Sequence, residues 1–139
     1  MSRVFLDTNI LVYSCDRDSP EKRSIAQTLI EEQAKSGNIV ISTQVLQEFY
    51  VTAVRNLGIP PLDAKSLVHS FLMAHVVTID PYDIVRAVDG NILWQISFWD
   101  ALIITAAMKA ECSIVLTEDL QHGRIVEAVE IRNPFAGTL

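Results

Sequence analysis

Short apolar runs rich in β-branched residues, spaced between segments of helical periodicity, constrain this chain's fold more than any other feature. Residues 4–6, 39–42, 76–79 and 114–117 each read as a strand, and residues 129–132 as a fifth. Most do not alternate apolar with polar residues. A strand with one face in water alternates, whereas a parallel strand covered on both faces does not. The intervening segments carry helix signals. Ser19-Pro20 reads as N-cap and first helical residue, with Glu21 in the first turn, a stripe of Ile25, Ala26, Leu29, Ile30 and Ala34, and Gly37 as the stop. A second helix runs from Thr43 to about Asn56, with Val45, Leu46, Phe49 and Ala53 on its apolar face and Gly58 as its stop. Pro60-Pro61 marks a joint before a helix carrying Leu67, Val68, Phe71 and Leu72. Asp80-Pro81 opens another, with Asp83 in its first turn, and the last long helix begins at Ser97. Strands alternating with helices give an α/β sandwich around a mainly parallel sheet.

The 139 residues are read as a single domain, 1–139, and with 50% apolar and 20% charged residues they support a real core rather than disorder. No apolar stretch behind a basic head opens the sequence. No uninterrupted apolar run approaches the roughly 20 residues that span a bilayer. The expectation is a cytoplasmic protein without a membrane segment. Cys15 and Cys112 lie far apart and outside any CxxC or Cys/His cluster, so both read as small buried residues, not as a disulfide or zinc site. The formal net charge of −6 counts against a general nucleic-acid binder, which is usually basic. It leaves room for carboxylates that hold cations.

In open α/β sheets, ligands bind outside the carboxyl ends of the strands. Asp7 follows the first strand and Asp119 follows "IVLTE". Asp7 is either a local cap for the short "ILVYS" segment or the start of a site assembled from distant residues. Glu48 sits in mid-helix, with Gln44 and Thr52 one turn away on either side, and taken alone reads as an exposed helical glutamate. Asp100 lies in "SFWDALIITAAM", which is apolar around nearly its whole circumference and so belongs to a deeply buried helix. Ser97-x-x-Asp100 fits a capping-box variant, with Asp100 at the third helical position. Glu118 and Asp119 are adjacent and point to opposite sides in extended chain, so only one faces a central cleft, and Asp119 is chosen. Carboxylates brought together repel unless protons or cations intervene, and hard oxygen ligands select Mg²⁺ or Mn²⁺. Metals so held can activate water for phosphodiester hydrolysis.

"FLDTNILVYSCD", "STQVLQEF", "SFWDALIITAA" and "VLTEDLQHG" resemble, in order, the signature segments of PIN-domain ribonucleases, and more closely those of VapC-type toxins of bacterial toxin–antitoxin pairs. The resemblance runs from about Arg3 to Pro134. It implies a three-layer α/β/α fold with a mainly parallel sheet of four to five strands. It implies an Mg²⁺- or Mn²⁺-dependent ribonuclease whose catalytic acids are Asp7, Glu48, Asp100 and Asp119, with Asp7, Asp100 and Asp119 holding the metal. Thr8, Asn9 and Thr117 match supporting polar positions, and Asn9 is expected to fix the carboxylate of Asp7 or the first turn. Implied partners are an RNA substrate, a small cognate antitoxin covering the helical segments 43–56 and 61–74, and a second copy of the chain. Glu111, in "MKAEC", departs from relatives that often carry glycine there.

Other residues are less telling. His122 in "LQHG" reads as a turn histidine, His69 and His75 lack ligand-like spacing, and Trp99 can stack on a base but its buried helix favours the core. Arg17, Lys22, Arg23, Arg55 and Arg124 are scattered. Competing readings fit less well. "FLDTN" is similar to the Asp-x-Asp loop of haloacid-dehalogenase-like phosphatases, but Asn9 replaces the second aspartate and no downstream lysine motif follows. A phosphoaspartate receiver needs an acceptor after the third strand and a late lysine; Asp80 fits poorly and no lysine follows Lys109. A PIN nuclease outside toxin systems, or a non-catalytic binding domain whose acids are helix caps, are the remaining alternatives.

Overall fold

The computed structural model describes residues 3–137. In chain order the elements are β1 (Arg3–Leu6), α1 (Thr8–Tyr13), α2 (Pro20–Ser36), β2 (Ile39–Ser42), α3 (Thr43–Arg55), α4 (Pro61–Phe71), β3 (His75–Val77), α5 (Pro81–Trp94), α6 (Phe98–Lys109), β4 (Cys112–Leu116), β5 (Ile125–Val126) and β6 (Val129–Arg132). They form one sheet in the order β3-β2-β1-β4-β6-β5. Every pairing is parallel except β5 with β6.

The strands run as the β-branched pattern requires. Phe5 and Leu6 on β1, Val40 and Ile41 on β2, and Val115 and Leu116 on β4 are all buried. Successive strand residues point to opposite faces, so both faces of the sheet are covered. The sheet has six strands, one more than the five runs legible in sequence. The addition, β5, is a two-residue edge strand that turns back onto β6 through Glu127, whose φ is 53°.

The helix signals work with local differences. Pro20 opens α2, and Gly37 closes it in the left-handed region at φ 69°. Ser19 occupies the N-cap position without a side-chain capping bond; its hydroxyl donates instead to Asp16. Asp80 and Asp83 form a reciprocal capping box at α5, and Lys109 pairs with both carboxylates, at 2.7 Å from the buried Asp83. On α6, Ser97 Oγ accepts from Asp100 N at 3.1 Å, which is half of the expected box. Residues 101–107 of α6 are all buried. Among the described residues no single helix is long and apolar enough to cross a membrane. Both cysteines are free thiols; Cys112 is buried, and burial pushes its pKa up to about 11, while Cys15 is only half-buried.

The strand order sets the position of any site. The chain moves from β1 outward to β2 and β3 on one side, then returns to β4 on the other. The carboxyl ends of β1 and β4 therefore lie side by side where the winding reverses, the place where such sheets open a crevice.

Candidate active site

Asp7 follows β1 and Thr117 follows β4, and the parallel ladders carry on one step past both strands: Asp7 N donates to Leu116 O of β4, and Thr117 N to Arg132 O of β6, each at 3.0 Å. Asp7 then caps α1, with its Oδ1 accepting from Thr8 N at 2.7 Å. The cap and site readings of Asp7 describe one geometry. The capping bond takes Oδ1, while Oδ2 accepts from the buried Thr117 hydroxyl at 2.7 Å.

Asp100, on the first turn of α6, and Asp119, beyond β4, complete a cluster. Asp7, Asp100 and Asp119 each offer one carboxylate oxygen, and the three oxygens lie within 4.8 Å of one another. Glu48 stands outside this triad on the wall of the same pocket, where Oε1 accepts from Thr8 Oγ1 at 2.8 Å. Asn9 differs from its expectation. Its amide does not reach Asp7 but donates to Thr117 Oγ1 (3.1 Å) and to Asp119 Oδ2 (3.2 Å), so it steadies the opposite acid. Of the two adjacent acids, Asp119 joins the triad. The carboxylate of Glu118 is taken by Tyr13 OH at 2.6 Å and Lys22 Nζ at 2.9 Å.

The electrostatics follow from this crowding. The pocket, about 350 Å³, is lined by Asp7, Asp16, Glu48, Asp100, Glu118 and Asp119 and by no lysine, arginine or histidine. Burial, with help from Asp119 and Glu48, pushes the Asp7 carboxyl up to about 7 against the lowering bonds from Thr117 and Thr8. Burial, and then the neighbouring Asp119, raises Asp100. Hydrogen bonding to Glu118 raises Lys22; burial first, and then the Glu118 bond, raises Tyr13. An oxygen-only donor set, buried at Asp7, half-buried at Asp100 and open to solvent at Asp119, fits a hard divalent cation such as Mg²⁺ or Mn²⁺.

The family model of the PIN domain matches residues 4–128. The chain belongs to the PIN-domain family. The fold is similar to DNA-bound VapBC of Salmonella typhimurium, with a TM-score of 0.70 and 17% identity over 96% of this chain and 99% of that one. It is similar to VapC20 of Mycobacterium tuberculosis, a sarcin-ricin loop cleaving toxin, with a TM-score of 0.67 and 17% identity over 81% and 86%. A toxin-antitoxin complex from Klebsiella pneumoniae gives a TM-score of 0.67 and 20% identity over 96% and 98%. No curated protein matches the chain.

Three features of this PIN domain's site were not legible in its sequence. Tyr13 and Lys22 draw Glu118 aside, a contact that spans about a hundred residues and leaves no local signal. Gln44 is buried on the pocket wall, because the first turn of α3 faces the cleft. Trp99 is exposed on the pocket rim, not in the core as its apolar helix led us to expect. Burial of α6 begins only at Ala101, so its first turn projects beyond the packed part. His122 is the expected turn residue, with Nδ1 accepting from Asn133 N at 2.9 Å.

Proposed function

We propose that this PIN domain is a divalent-metal-dependent ribonuclease and the toxin of a toxin–antitoxin pair. The observation that carries the reading is the carboxylate triad of Asp7, Asp100 and Asp119 at the switch point of the sheet, in a pocket where Lys22 compensates Glu118 and no cationic side chain pairs with the triad among the described residues. These three residues would hold Mg²⁺ or Mn²⁺, and the ion supplies positive charge for the phosphodiester oxygens and makes water a better nucleophile. Glu48, with Oε1 held by Thr8, leaves Oε2 to take the proton of the attacking water as the phosphodiester is hydrolysed. Thr117 and Asn9 hold the flanking acids in place.

A partner fits the same picture. Leu46, Tyr50 and Val51 of α3 and Val68 of α4 line an apolar groove of about 430 Å³. An antitoxin helix laid in this groove by its apolar face brings its chain toward the acidic pocket, where a basic side chain meets uncompensated carboxylates. VapBC complexes among the similar structures support such a partner.

The purified chain, incubated with total RNA, should cleave it with Mg²⁺ or Mn²⁺, stop with excess chelator, and stay inactive as Asp7→Asn. Cleavage that survives both chelator and every substitution of the four acids would overturn the reading. Co-expression with any small open reading frame adjoining this gene tests the partner: no complex on gel filtration and no relief of growth arrest count against it.

A further inference from the structure

The acidic pocket poses a binding problem. RNA is a polyanion, yet the pocket lining holds six carboxylates, of which only Glu118 is paired with a basic side chain, Lys22, among the described residues. A metal ion can grip one phosphate, but the strand on either side needs other contacts. Two neighbouring features supply them.

The first is Trp99. Its side chain is 61% exposed on the pocket rim, directly before Asp100. The Phe98 ring meets the indole edge-on at 5.1 Å, and Gln44 Nε2 donates to the Trp99 backbone carbonyl at 3.3 Å. Gln44 adds a second sign of a ligand. It is 5% exposed, lines the pocket, and its Oε1 has no hydrogen-bond partner among the described residues. Swapping the amide would set oxygen against the Trp99 carbonyl, so the orphan is an acceptor. Rotation about its soft terminal torsion, which gives up the 3.3 Å bond to the Trp99 carbonyl, turns that acceptor toward a bound O–H or N–H, groups that a ribonucleotide carries.

The second is an adjoining cavity of about 710 Å³, which shares Asp16 and Leu57 with the acidic pocket. Arg17 and Arg23 line it together with Asp16, Asp18 and Asp63. Neither forms an ion pair among the described residues, whereas Lys22, Lys109 and Arg132 do.

We propose that single-stranded RNA crosses the site along this line, with a base beside the scissile phosphate stacked on Trp99 and the following phosphates running over the second cavity to Arg17 and Arg23. The assignment rests on the ribonuclease reading and deepens it. Stacking suits a site whose own charge repels the backbone, because every base has a π-face and the contact needs no cation.

The test uses the full chain as Trp94→Phe, which leaves Trp99 as the one tryptophan. A short single-stranded RNA, added with Ca²⁺ in place of Mg²⁺, should quench its fluorescence. In cleavage assays Trp99→Ala should raise KM about 5- to 150-fold, the range expected for one stacked base, with kcat far less changed. Trp99→Phe should recover most of the loss. The double variant Arg17→Ala with Arg23→Ala should lower the slope of log affinity against log salt by about 1.4, at roughly 0.7 per phosphate contact.

RNA cleavage by wild type without quenching, and with KM unmoved in Trp99→Ala, overturns the stacking assignment while leaving the nuclease reading intact. Quenching without metal-dependent cleavage keeps the subsite and overturns the nuclease reading. An unchanged salt slope in the double variant removes the second cavity from the path. Should Trp99→Ala weaken capture of the antitoxin and leave RNA affinity intact, Trp99 belongs to a protein interface and the assignment fails.

Discussion

The Thr117 hydroxyl donates to Asp7 Oδ2 at 2.7 Å while accepting from Asn9 Nδ2 and from Asp119 N, each at 3.1 Å. One O–H and two lone pairs are all the oxygen has, and all are used. This buried group thus ties the end of β1 to the turn that carries Asp119. Thr117→Val keeps the shape and removes three bonds. It should weaken Mn²⁺ binding about 10- to 100-fold, as loss of a ligand-orienting partner does. Thr117→Ser should retain most of the affinity. Calorimetric titration of Mn²⁺ into the three proteins checks this, and equal affinity in Thr117→Val would show that the triad holds itself in place.

The burial of Asp7 makes metal-free stability depend on pH, with a definite sign. Its folded pKa of about 7 stands above the ordinary 3.8, so the folded chain holds this proton more tightly than the unfolded one. The resulting stability is complete below pH 3.8 and is lost as pH rises through 7. Every tenfold gain in proton affinity on folding corresponds to about 1.4 kcal/mol. Melting temperature in chelator should therefore fall from about pH 5 to about pH 8, and Asp7→Asn should flatten that fall. Mn²⁺ affinity should run the other way, rising as pH climbs toward 7 and levelling above it, because the ion competes with the proton. A wild-type melting temperature that tracks Asp7→Asn at every pH would remove Asp7 as the cause.

Much of this architecture was legible because the signals are local. Ile39–Ser42 was bounded correctly by its apolar run, Pro20 and Gly37 bracket α2, and Ser97 caps α6. Three of the four acids stand at strand ends or a helix start that were recognisable in sequence, Glu48 came from the family resemblance alone, and the topology brings all four to one pocket. What escaped was non-local or too short for a period. β5 has two residues. Asn9 finds its partners 108 and 110 positions away. Trp99 sits in a helix so uniformly apolar that periodicity cannot say which turn leaves the core.

Glu111 shows how a departure in sequence becomes a stability prediction. It follows the end of α6 at φ 58°, a left-handed conformation that suits glycine and strains a side chain with a Cβ. Glu111→Gly should raise stability by roughly 0.5–1 kcal/mol, the strain relieved exceeding the extra freedom of glycine in the unfolded chain. Urea unfolding reads this directly, and a lower midpoint for the variant would mean that the conformation is not strained.

We propose that the second copy of the chain implied by the family resemblance docks on the face of α5. Tyr82, Val85, Val88 and Ile92 are exposed at spacings of three, three and four, which is one side of a helix. This stripe is separate from the α3–α4 groove assigned to the antitoxin. Sedimentation should show wild type as a dimer at micromolar concentration, and Val85→Asp with Ile92→Asp as a monomer that still binds antitoxin. A wild-type chain that is monomeric throughout would end the assignment, and so would a variant that remains dimeric.

Asp100 separates two accounts of the same carboxylate. As a cap residue it stands in the first turn of α6, where a negative charge favours the helix dipole, and Asp100→Asn should cost a few tenths of a kcal/mol or more. As a member of the triad it is half-buried, and burial and Asp119 raise its pKa. Asparagine then relieves like-charge repulsion. Two carboxylates about 5 Å apart at an effective dielectric near 20 repel by roughly 3 kcal/mol before screening and relaxation reduce it. The bond from Asp100 N to Ser97 Oγ survives the substitution, because it uses the backbone. If about 1 kcal/mol of relief remains, Asp100→Asn should melt a few degrees above wild type in chelator. Excess Mg²⁺ should reverse the order, since asparagine is the weaker ligand for a hard cation, and RNA cleavage should be lost. Thermal melts of both proteins in chelator and in Mg²⁺ decide. A variant less stable in chelator yet fully active would leave Asp100 as a cap and reduce the proposed metal site to Asp7 and Asp119.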